Sequence, residues 1–237
     1  METIKSTADF LGEREQNLSA RAYDEILKML ISRELPVNTV LQERRLAELL
    51  NISRTPVRDA LTRLENEGLV SRAAGRTLVV KQFSIRELVE TLHVRRTLEA
   101  EAARLAAGRV PEEEIDALEA DVRRLLEAEV PNAAEDWLVD SRLHGLLSHY
   151  SGNQLLTQYI ETLRLKTRMF NLSQAPERFE SAHQEHLAIV KALKVGYHEH
   201  LAILAALRSG DADAAQQAAA AHIDSVRQGI IDRFSQI

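Results

Sequence analysis

The sequence predicts a mainly α chain in two parts, a short N-terminal unit of helices closed by a β-hairpin and then an all-α antiparallel helical bundle. Three observations carry this. Apolar residues recur with a helical period of about 3.6 through most of the 237 residues. After Gly68 the period falls to about 2, over Leu69 and Val70 and again over Thr77, Leu78, Val79 and Val80. Beyond Phe83, turn residues punctuate the chain at regular intervals: Gly108 and Pro111, Val130-Pro131, Ser151-Gly152-Asn153, Ala175-Pro176, Gly196 and Ser209-Gly210-Asp211.

Each element follows in order. Residues 1–18 are polar and mixed and are expected to form a flexible arm. From about Ser19 the spacing of Ile26, Leu27, Leu30 and Ile31 predicts a helix that ends near Leu35-Pro36. QERRLAELLN predicts a short second helix with Leu46, Leu49 and Leu50 on one face. Ile52-Ser53 makes a tight break, and Ser53 or Thr55 can cap a third helix in whose first turn Pro56 is tolerated. Glu67-Gly68 stops that helix, and two strand-like runs flank the turn segment RAAGR at 72–76. Three helices and a hairpin in this order make a winged helix-turn-helix over residues 19–82. Ser84 with Glu87 forms a capping box that opens a second domain over 83–237, with six or seven helices expected.

Composition limits the function. With no cysteine there is neither a disulfide framework nor a thiolate metal site, which fits a reducing compartment. No apolar run approaches the roughly 20 residues that span a bilayer, and the N-terminus lacks the apolar core of a signal peptide, so a cytoplasmic protein with no membrane partner is expected. The whole chain carries a net charge of -6, yet Arg21 to Lys81 holds eleven Lys and Arg against eight Asp and Glu, a net of +3. That local excess could face a polyanion.

A helix, a tight turn and a second helix place the second helix in the major groove of DNA. At its start stand Ser53, Arg54, Thr55 and Arg58. Arg54 and Arg58 are four apart on one face, and arginine is shaped for paired contact with guanine or phosphate. The hydroxyls of Ser53 and Thr55 and the free N–H groups of the first turn favour phosphate. The alternative is a solvated helix start whose arginines pair with Asp59 or Glu65. The run from Tyr23 to Val80, centred on LQERRLAELLNISRTPVRDALTRLENEGLV, resembles the GntR family of bacterial transcriptional regulators. The resemblance implies that Arg44, Arg54 and Arg58 contact an operator, with Ser53, Thr55 and Gly75 helping at backbone and minor groove and Arg76 as an addition. The chain departs from the family pattern at Val37-Asn38, where Pro36 is usually followed by Gly.

Residues 84–235 resemble the all-helical effector domain of the fatty-acid-regulator-like branch of that family, on the strength of DSRLHGLLSHYSGNQLL (140–156) and EHLAILAALRSGDADAAQQAAAAHI (199–223). That branch implies a homodimer, and in many members a divalent metal on one Asp and three His that holds a small carboxylate. The spacing agrees physically. Asp140 and His144 lie four apart on one helix face, and His200 and His222 lie eleven residues either side of Asp211 in an expected helical hairpin. Imidazole with carboxylate suits zinc, nickel, iron or manganese.

A near-duplication complicates the ligand set. HQEHLAIVKALKVG (183–196) and YHEHLAILAALRSG (197–210) match at eight of fourteen positions, so His186 is the alternative to His200. In an unbroken helix the two are about 21 Å apart and cannot serve one ion together. Arg95 or Arg96, near His93, is expected to meet an effector carboxylate. The expected function is therefore a regulator of double-stranded DNA operators, controlled by a small organic acid, and not an enzyme. Two alternatives stand beside it: a metal-dependent hydrolase built on the same Asp/His cluster, and a DNA-binding protein with a purely structural metal.

Overall fold

The computed structural model describes residues 7–73, 77–130, 132–174 and 183–235, with side chains over the same residues apart from 7–16, 133, 171–174, 183–193 and 233–235. The chain divides into two compact units, one of residues 1–85 with 165–175 and the other of residues 86–164 with 176–237.

In the first unit, α1 (Thr7–Ile31), α2 (Glu43–Leu50) and α3 (Arg54–Asn66) precede an antiparallel hairpin of β1 (Val70–Arg72) and β2 (Leu78–Val80). Ala22, Ile26 and Leu30 of α1 are buried with Val57, Leu61 and Leu64 of α3, which makes the core of the unit. The helix-turn-helix turn is built from Asn51, which ends α2 in the left-handed region at φ 53°, and Ser53, which leads extended into α3. Asparagine tolerates that conformation better than most residues. Gly68, at φ 74°, closes α3, and the N–H of Leu69 then donates to Leu64. The hairpin pairs Val70 with Val80 and Arg72 with Leu78, and Val40 bridges to Val79 on its other side.

Two expectations change here. The arm expected over 1–18 is helical from Thr7, because FLGEREQ is made largely of good helix formers. Leu49, expected on the apolar face of α2, is 59% exposed, and Leu46 with Ala47 makes the buried contact instead.

The second unit contains α4 (Ile85–Ala106), α5 (Glu112–Glu127), α6 (Ala133–Tyr150), the start of α7 (Gln154–Gln174), α8 (His183–Ser209) and α9 (Ala212–Ser235). The caps are local. Asn132 accepts from the N–H groups of Ala134 and Glu135, Asn153 from Leu156, and Asp211 from Ala214. Leu118 and Val122 of α5, Leu143 of α6, Ile203 and Leu207 of α8 and Ala219 of α9 meet in one apolar core. The small residues of α9 let it approach α8 closely there.

Gly196 does not break the chain. α8 runs through it without interruption, since one glycine costs a helix only about 1 kcal/mol relative to alanine. The expected break at Ala175-Pro176 lies outside the described residues. No described helix is long and apolar enough to cross a membrane.

Candidate functional site

At the start of α3, Ser53, Arg54, Thr55 and Arg58 are all exposed, and the Ser53 side chain makes no capping hydrogen bond. The two arginines turn to neither Asp59 nor Glu65. Both meet Glu43 in the first turn of α2: Arg58 donates through Nε at 3.0 Å and Nη2 at 2.9 Å, and Arg54 through Nη2 at 3.5 Å. These bonds, the Arg58 one foremost, hold the Glu43 carboxyl below its ordinary range. Asp59 accepts instead from Ser19, and Glu65 from Arg72. Arg44 reaches Glu48 at 3.2 Å and is otherwise open. Gly75 and Arg76 lie outside the described residues.

In the second constellation three histidines are buried and the aspartate partly so. Asp140 and His144 from α6, His200 from α8 and His222 from α9 converge, and one ligand atom from each lies within 4.8 Å of the others. Nε2 of His144 stands 3.3 Å and Nε2 of His200 3.8 Å from Oδ1 of Asp140. The hairpin turn at Gly210 brings the rings of His200 and His222 to 4.6 Å between centroids. The side chain of His186 lies outside the described residues.

A carboxylate backs two of the three imidazoles. Glu99 of α4 bonds Nδ1 of His144, and Glu199 of α8 bonds Nδ1 of His222 at 2.9 Å. An imidazole that gives its Nδ1 proton to a carboxylate has the Nε2 lone pair free for a metal, in a fixed orientation. Arg95 in turn donates to Glu99 at 2.6 Å. His200 differs, because both its ring nitrogens are buried without a hydrogen-bond partner among the described residues. Burial, helped by neighbouring His222, pushes its pKa down to about 3, so it is neutral. Burial also raises the Asp140 carboxyl, but the Arg164 guanidinium above all outweighs it and holds the group well below the usual carboxylate range. An ionised Asp140 and a neutral His200 are the forms in which these two groups ligate a divalent metal. The residues present fit such an ion.

The expected effector arginines are both engaged elsewhere. Arg95 is buried against Glu99, and Arg96 pairs with Asp224 at 2.6 Å. The guanidinium beside the cluster is that of Arg164 on α7, 8% exposed, which donates to Oδ2 of Asp140 at 2.6 Å and to Ser141 at 3.4 Å. Reading the sequence for motifs missed Arg164, Glu99 and Glu199. A signal for the first existed: Arg164 continues the i, i+4 row of Leu156 and Ile160, so it puts a charge on an apolar stripe.

Comparison with known proteins agrees with both halves. Residues 18–80 match the family of bacterial regulatory proteins described as the gntR family, and residues 90–197 match the FCD domain. The Nta operon transcriptional regulator of Aminobacter aminovorans is 29% identical over 153 residues, which cover 65% of this chain and 72% of that one. The HTH-type transcriptional repressor RspR of Escherichia coli is 25% identical over 81% of this chain and 79% of its own. The Glc operon transcriptional activator of Escherichia coli is 26% identical over 88% of this chain and 87% of its own. Among solved structures, Escherichia coli McbR/YncC superposes with a TM-score of 0.73 at 22% identity, covering 92% of this chain and 98% of that one.

Proposed function

Because the chain belongs to the GntR family of transcriptional regulators, with a DNA-binding winged helix and an FCD effector domain, we propose that a small organic acid bound at a metal in the second unit controls operator binding by the first. Asp140, His144, His200 and His222 would hold a divalent ion such as zinc, nickel, iron or manganese. When bound, the ion supplies a Lewis-acidic centre for a carboxylate. The chain's own residues do the rest. Glu99 and Glu199 orient His144 and His222, and Arg95 anchors Glu99. Arg164, with donors left beyond Asp140, supplies the second positive contact for the acid.

The observation that carries this reading is His200: two buried, unpartnered ring nitrogens beside an ionised carboxylate are costly unless a ligand meets one of them. The enzyme alternative has no support here. Glu99 and Glu199 are tied to imidazoles and are not placed as general bases, and the relatives are named as transcriptional regulators. Arg44, Ser53, Arg54, Thr55 and Arg58, with Gly75 and Arg76 in the wing, form the operator face in this proposal, presented twice by a homodimer on a two-fold site. The relatives include one repressor and one activator by name, so the sign of control does not come with the family.

The test is a melting-temperature series on metal-free, metal-loaded and metal-plus-acid protein across a panel of small carboxylates. Stepwise stabilisation by metal and then by one class of acid, with a matching change in a gel shift, is the expected result. Stabilisation by metal with no response to any acid assigns a structural ion and overturns the effector role. Light scattering should give a particle of twice 26.6 kDa.

A further inference from the structure

A carboxylate on the DNA-facing side of a reading head is unfavourable in the field of a polyanion. Glu43 is such a group, if Arg54 and Arg58 are the DNA-facing pair, since its carboxylate touches both guanidinium groups. Its geometry is specific. Arg58 meets it side-on, with Nε on Oε1 and Nη2 on Oε2, while Arg54 shares Oε2. The Glu43 side chain is 28% exposed, against 58% for Arg58 and 61% for Arg54, so the acid is the most covered of the three groups.

A guanidinium has five N–H donors in a planar fork. The side-on contact uses Nε and one hydrogen of Nη2. The end-on edge, formed by Nη1 and the other hydrogen of Nη2, faces away from the carboxylate. That edge offers two parallel donors, which can pair with guanine O6 and N7. A free arginine at this position would swing between phosphates and base edges and would bind any sequence. An arginine whose charge is shared with a carboxylate and whose plane is fixed gives up phosphate attraction and keeps directional donors.

We propose that Glu43 is a positioning residue for base readout: it holds the Arg58 plane, and more loosely Arg54, end-on to the groove and offsets their charge, so that binding energy is moved from phosphate to bases. The assignment rests on the operator-face reading given above. Arg44, whose own partner Glu48 is i, i+4 on the same helix, has no such cross-helix brace among the described residues and is left to phosphate.

The experiment uses full-length protein, a duplex selected by the parent protein from a random library, and a scrambled duplex of equal composition. Fluorescence anisotropy is followed over a salt series. Glu43→Gln should tighten binding to the scrambled duplex, steepen its log–log salt slope by about one unit, and lower the selected-to-scrambled ratio about tenfold. Glu43→Asp keeps the charge one methylene too short to hold Arg58. It should lose discrimination with little change in slope. Full discrimination in Glu43→Asp would reduce Glu43 to a charge effect and overturn the positioning role. Equal weakening on both duplexes by Glu43→Gln, at an unchanged melting temperature, does the same. So does a re-selected site that differs at one base pair only, which makes Glu43 itself the reader. Arg58→Ala is the control for the underlying reading: binding equal to the parent removes α3 from the operator face, independently of what Glu43 does.

Discussion

The chain uses arginine–carboxylate pairs in two settings, and the difference between them separates a reading surface from a holding core. At the start of α3, Arg54 and Arg58 share Glu43 in water, where an ion pair contributes little to stability and can be rearranged when a better anion arrives. Around the Asp/His cluster, Arg95 with Glu99 is almost dry, and Arg164 meets an Asp140 side chain that is 24% exposed. There the charges are desolvated already, and removing one partner leaves the other buried and unpaired. The exposed pairs are suited to exchange, the buried ones to keeping four ligands in place.

Breaking the buried set should therefore cost most. Asp140→Ala removes a ligand and strands Arg164, and urea denaturation of metal-free protein should show a loss of about 3 to 5 kcal/mol. A loss below about 1 kcal/mol would mean that the pair is hydrated and that the contrast between the two regions is false. Glu99→Gln keeps the shape but weakens the hold on His144, and calorimetric titration should find metal affinity lower by about 10- to 100-fold with the fold retained. Of the duplicated histidines, His200→Ala should lose metal by mass spectrometry and His186→Ala should keep it; the reverse would move the site by one repeat. On the exposed side, Arg54→Ala and Arg58→Ala should each weaken operator binding roughly 5- to 150-fold in a gel shift at fixed salt. Their melting temperatures should stay at the parent's value, and a drop comparable to that of Asp140→Ala would make α3 a structural rather than a reading element.

Much of this was legible in the order of residues because it depends on local rules. Gly68 takes up the positive φ at which α3 ends, and Asp140 with His144 share a face on any helix. His200 and His222 needed only a hairpin about Asp211, which the Ser209-Gly210-Asp211 turn supplies. The partners that hold the cluster's side chains were not legible in this way. Glu99 meets His144 across 45 positions, and Arg164 meets Asp140 across 24. Such pairs arise from helix packing, which periodicity alone does not specify. The Glu43 brace was hidden for the same reason, since Asp59 and Glu65 are nearer to the arginines along the chain but not in space.

The unbroken passage of α8 through Gly196 bears on how the fourteen-residue near-repeat could be accommodated at all. Fourteen residues advance a helix by about 1,400°, roughly 40° short of four complete turns. An insertion of that size is nearly neutral in helical phase: it lengthens the rod by about 21 Å while every later residue keeps almost its former azimuth. Gains or losses of whole copies thus act as a length adjustment on α8, whereas a change of two residues, about 200°, would turn His200 and its neighbours away from the core.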